Sequence, residues 1–72
     1  MERLTAVIDQ GDHVRSVDMI TMSPLDPGYK ETMDQAKMSA LKIGVFQRDG
    51  ETQTFYPAFR VLRLEQTTLP DA

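Results

Sequence analysis

His13, the single histidine of the chain, follows Asp12 directly and lies four residues after Asp9. These are residue types from which a general base or a metal centre is made. Such a site needs an imidazole held beside a carboxylate where water is excluded, or further nitrogen or sulfur ligands at a suitable spacing. Neither accompanies His13. Gln10-Gly11-Asp12 reads as the turn between two strands, which puts the trio at an exposed tip and makes a solvated turn the expected reading. Ser16, Ser23 and Ser39 lack the surroundings of a nucleophile elbow, and Gly11, Gly28, Gly44 and Gly50 are too isolated to form a phosphate loop. The chain has no cysteine, hence no thiolate nucleophile, disulfide or thiolate zinc site. The expectation is a protein that is not an enzyme and uses no cofactor or metal.

A second pattern lies further along, where Lys42, Arg48, Arg60 and Arg63 are interleaved with Phe46, Phe55 and Tyr56. Aromatic rings on strands among basic residues can stack nucleic-acid bases. Against this stand a net charge of −3 and the acidic Asp49, Glu51 and Glu65 in the same stretch, because a negative field repels phosphate. Charge is unevenly spread. Arg3 and Arg15 face Glu2, Asp9, Asp12, Asp18 and Asp26 in the first part of the chain, whereas Lys30 to Arg63 carries an excess of positive charge. Nucleic-acid binding through Lys42, Arg48, Arg60 and Arg63 is therefore the alternative class, behind protein binding.

The elements that must position these residues follow from periodicity and turn chemistry. Leu4, Ala6 and Ile8 alternate with Thr5, Val7 and Asp9, the pattern of a half-buried strand. His13 to Met22 resumes with β-branched and apolar residues, so a second strand pairs back on the first. Val14 and Val17 are three apart, which predicts an irregularity near Arg15-Ser16. Ser23-Pro24-Leu25-Asp26-Pro27-Gly28 is a connector, with Asp26 the expected N-cap and Pro27 in the first helical position. Tyr29 to about Leu41 is rich in helix formers, and Tyr29, Met33, Ala36 and Ala40 share one face.

Asp49-Gly50, set between Ile43–Arg48 and Glu51–Tyr56, is a strong hairpin signal, since both central residues of a type I′ turn need positive φ. That turn pairs Arg48 with Glu51, Val45 with Thr54 and Gly44 with Phe55, and lets the Phe55 ring lie over the bare Gly44. Alternation then splits the hairpin into two faces, one with Gly44, Phe46, Arg48, Glu51, Gln53 and Phe55, the other with Ile43, Val45, Gln47, Thr52, Thr54 and Tyr56. Both contain large apolar groups, and one helix can cover only one. With Phe46 and Phe55 against the helix, the outer set of Ile43, Val45, Gln47, Thr52, Thr54 and Tyr56 becomes the candidate protein interface. Phe59 to Glu65 reads as a last strand after Pro57.

The order strand, strand, helix, strand, strand, strand gives an α+β domain: an N-terminal β-hairpin, one helix over about residues 29–41, then an antiparallel hairpin and a final strand. The run of hairpin, Pro57 turn and short strand resembles the end of SH3-like and Sm-like barrels, so a small barrel with a helical insertion is the second fold. Residues 1–66 form one domain and 67–72 a loose polar tail. At this size a chain buries only about 60% of its unfolded surface, and its core is thin. The start Met-Glu-Arg-Leu turns polar by Asp9 and carries neither an export signal nor a membrane span, which with the absence of cysteine points to the cytoplasm. These features together suit a small protein-binding module that occupies a surface of a larger protein, in the manner of regulators and inhibitors of phage or mobile-element origin. A homodimer through an edge strand or the outer hairpin face is a further expectation, because small domains complete their cores by association.

Overall fold

Leu4, Ala6 and Ile8 alternate with Arg3, Thr5, Val7 and Asp9 along Glu2–Asp9, and this strand, β1, becomes the centre of the molecule. Its partners are β2 (Val14–Met22) and the last strand, β5 (Val61–Thr68), both antiparallel to it. The structure, a computed structural model, describes residues 1–70 and places α1 (Tyr29–Lys42) between the first two strands and a second hairpin, β3 (Gly44–Asp49) with β4 (Thr52–Pro57). Ala58–Arg60 forms a 3₁₀ turn leading into β5. The result is an α+β fold of one helix and two antiparallel sheets, ordered β2-β1-β5 and β3-β4. No closed barrel forms among the described residues.

One face of β1 supplies Leu4, Ala6 and Ile8 to the interior, all without exposed surface. Ala6 and Ile8 pack with Val17 of β2, Ala40 of α1 and Val45 of β3, and Met19, Tyr56, Val61 and Leu64 close the edges of this cluster. Each fully buried aliphatic side chain contributes about 1.5–3 kcal/mol. The opposite face of the three-stranded sheet is polar, with Arg3 ion-paired to Asp18 at 3.8 Å and Arg63 to Glu65 at 3.5 Å.

The helix buries Met33 and Ala40, with Tyr29 and Ala36 half-buried beside them, which is the stripe that its spacing predicts. Tyr29 also accepts a hydrogen bond from Gln66 Nε2 at 2.9 Å, tying the start of α1 to β5. Asp26, the expected cap, does a different job. Its carboxylate accepts from the Ser23 amide at 3.0 Å while Ser23 Oγ accepts from the Leu25 amide at 3.2 Å. These two bonds close a separate turn, and the helix begins after Gly28, whose φ of 76° has no side-chain cap behind it.

Two further expectations are corrected. The irregularity in β2 lies opposite Leu4/Thr5, where Met19 is the extra residue, and not at Arg15-Ser16. Val14 is exposed at the strand's open end and has no need to share a side with Val17, whereas Val17, Met19 and Ile20 all have to turn toward the interior. The expected tail at 67–72 starts later, since Thr67 and Thr68 pair with Arg3 and Glu2 and the Leu69 amide donates to the Met1 carbonyl at 2.8 Å. The last part of that tail, 71–72, lies outside the described residues.

Candidate functional site: the outer face of the second hairpin

The turn between β3 and β4 is set by its glycine. Gly50 has φ of 61° and among the described residues no non-glycine residue has positive φ, so Asp49 stays in the strand and the turn residues are Gly50 and Glu51. A positive φ at the first turn residue alone is the pattern of a type II′ turn, which requires nothing unusual of Asp49. The register therefore moves by two residues from the expected one: Arg48 faces Gln53, Phe46 faces Phe55 and Val45 faces Tyr56. Because the shift is even, the membership of the two faces survives it. The expected Arg48–Glu51 pair does not form, and Arg48 Nε donates instead to the Gly50 carbonyl at 3.3 Å.

Which face points inward is the reverse of the expectation. Val45 is 3% exposed, inside the cluster of Ala6, Ile8, Val17 and Ala40, and Tyr56 packs at its edge. Val45 fills the space between the small Ala6 and Ala40, where interior packing is dense. Tyr56 suits the rim because its hydroxyl accepts from Gln10 Nε2 and donates to Gln47 Oε1, each at 3.4 Å. Of the candidate interface residues, Val45 is thus core, Tyr56 and Gln47 are half-buried, and Thr52 and Thr54 are exposed. Ile43 is exposed as well, but as the residue that ends α1: its amide donates to Ser39 and its carbonyl accepts from Ala58 at 3.0 Å.

Phe46 and Phe55 form the outer face, 61% and 43% exposed, with ring centroids 4.7 Å apart and planes tilted by 46°. Gly44 holds this pair in place. It has φ of 142°, and a Cβ there would stand 2.2 Å from the Tyr56 carbonyl and 2.9 Å from the Phe55 ring, so Phe55 lies over the glycine as expected. Arg48 and Gln53 continue the same face toward the turn.

The basic residues do not converge. Arg63 stands on the polar face of the other sheet, opposite Val7 and paired with Glu65. Arg60 lies with its guanidinium 5.7 Å from the centroid of the exposed Phe59 ring, Lys42 ends the helix, and only Arg48 shares the Phe46 face. At the far tip, the Gln10 amide donates to the His13 carbonyl and His13 Nδ1 lies 2.6 Å from Asp12 Oδ1, both side chains largely in solvent. Among the described residues no pocket opens, no cluster of metal-ligating side chains forms, and no helix is long and apolar enough to cross a membrane. Neither a family model, nor a curated protein, nor a solved structure matches this chain.

Proposed function

We propose that the protein is a small binding module that docks on a larger protein through the outer face of its second hairpin. The observation that carries the reading is the Phe46–Phe55 pair, two large rings standing in solvent on a strand pair that has a well-filled opposite side. In a chain of 72 residues, large side chains are scarce core material, and leaving two of them outside is costly for folding. Aromatic groups, together with arginine, are what interface centres are built from, and Arg48 and Gln53 give this patch a polar border. The module works by occupancy, as a regulator or inhibitor does.

The test is Phe46→Ser, with capture of protein from the native host lysate and thermal melting measured side by side. The reading expects lost capture with melting within a few degrees of wild type. Equal capture by Phe46→Ser and wild type overturns it, as does capture of nothing by the wild type. The second reading, binding of single-stranded nucleic acid, is favoured by the exposed Phe59 with Arg60 beside it. Its test is binding of mixed-sequence oligonucleotides at low salt, where phosphate contacts are strongest; no binding there removes it.

A further inference from the structure

The edges of the two sheets differ in how they are protected. An open strand edge invites pairing with another chain, and natural proteins blunt it with charge, proline or a covering element. β2 carries Arg15 and Asp18 and runs into Pro24, and β5 carries Arg63 and Glu65. β3 carries Arg48 and Asp49 and packs against α1 and the 3₁₀ turn. β4 has no charge, and its proline stands only at its last position. The one strand partner of Thr52-Gln53-Thr54-Phe55-Tyr56 is β3.

The backbone of β4 is arranged for a symmetric partner. In a hairpin with a two-residue turn the flanking pair, here Asp49 and Thr52, exchanges hydrogen bonds, and the pairs alternate from there. Gln47/Thr54 and Val45/Tyr56 are then hydrogen-bonded pairs, while Arg48/Gln53 and Phe46/Phe55 are not. The amides and carbonyls of Gln53 and Phe55 consequently face outward along the free edge. An antiparallel copy of β4, centred on Thr54, sets Gln53 against the partner's Phe55 and Phe55 against the partner's Gln53, and satisfies all four groups on each strand. No like charges meet along this line.

Size points the same way. The accessible surface is 5167 Å², against about 4,500 Å² for a monomer of 8.2 kDa. The excess is of the order that one partner contributes to a standard interface. The radius of gyration is 12.7 Å, where a chain of 72 residues packs to about 11 Å. A two-stranded sheet is also marginal by itself, and four strands are a common sheet size.

We propose that the protein is a twofold dimer joined through the free edge of β4, which turns two β3-β4 hairpins into one four-stranded sheet. The twofold keeps both outer faces on one side, so the two Phe46–Phe55 pairs lie on one continuous surface. This inference rests on the edge and not on the docking reading above.

Sedimentation equilibrium from micromolar to sub-millimolar concentration gives the first readout, with a mass of twice 8.2 kDa expected. Thr54→Lys places two ammonium groups opposite each other across the twofold at an exposed position and weakens association by about tenfold or more without lowering the melting of the monomer. Thr54→Cys supplies the only thiol of the chain, and a non-hydrogen-bonded pair sets its two Cα atoms about 4.5 Å apart, within reach of a disulfide. Mild oxidation links this variant into a dimer and leaves Thr21→Cys, on β2, unlinked. A mass of 8.2 kDa at every concentration overturns the proposal, as does a dimer unaffected by Thr54→Lys or one that links through Thr21→Cys instead. Phe46→Ser is expected to remain dimeric, so failure of the docking reading and failure of this one are distinguishable.

Discussion

The two hairpins of this protein are built alike and used differently. Each is an antiparallel pair closed by a short turn with a positive-φ glycine, Gly11 in the first and Gly50 in the second. β1 gains a second neighbour in β5, and even Val7 on its polar side is only 2% exposed. β4 has one neighbour and leaves Thr52 through Phe55 in solvent. Burial here does not follow side-chain size, for β4 holds the exposed Phe55 whereas β1, with nothing larger than Leu, Ile and Arg, has no exposed residue. One hairpin is the core of the fold; the other has a face left over.

That contrast is most sharply broken from the inside. Ile8→Ala removes a fully buried side chain from the central strand and should cost about 2–5 kcal/mol. Since a domain of this size is stable by only about 4–10 kcal/mol, chemical denaturation should show a large loss or an unfolded chain. A loss below about 1 kcal/mol would mean that β1 is not the packed centre of the fold.

Gly44→Ala tests how the second hairpin is held. The added Cβ meets the Tyr56 carbonyl at 2.2 Å, a backbone atom that cannot move aside cheaply, and φ of 142° strains any L side chain there. About 2–4 kcal/mol should be lost, with Phe55 displaced from its place over residue 44. Near-neutral melting would show that β3 and β4 tolerate a looser approach.

The neighbours Val45 and Phe46 sharpen the comparison within one strand. Val45→Ala should cost about 1–2.5 kcal/mol and Phe46→Ser less than about 1 kcal/mol, although Phe is the larger residue. A reversal of that order would restore the opposite facing of the hairpin. The smallest effect belongs to the polar side of the first sheet. Arg63→Ala removes an exposed ion pair with Glu65 and should change stability by no more than about 0.5 kcal/mol, even at low salt.

Much of the architecture was legible in local pattern. The alternation of Leu4, Ala6 and Ile8, the helical stripe of Tyr29, Met33, Ala36 and Ala40, and the glycine-marked second hairpin all appear where their periodicity puts them. The candidate site was legible only halfway. Alternation assigned Phe46 and Phe55 to one side and Val45 and Tyr56 to the other, and an even register shift left that assignment intact. Asp49-Gly50 misplaced the turn by one residue, because Gly50 alone supplies the positive φ that a type II′ turn needs. The signal that could have corrected it was the pairing of Phe46 with Phe55 across the strands, a better cross-strand contact than Phe46 with Gln53.

What the sequence determined by itself is local: which residues are extended, which are helical, where glycine or proline ends an element, and which side chains share a side. Those properties depend on backbone sterics and on spacing along one chain. What only the tertiary structure decided is which side of the second hairpin is inside. That depended on packing against Ala6, Ile8, Val17 and Ala40, residues distant in sequence that come together around Val45 and leave Phe46 and Phe55 outside.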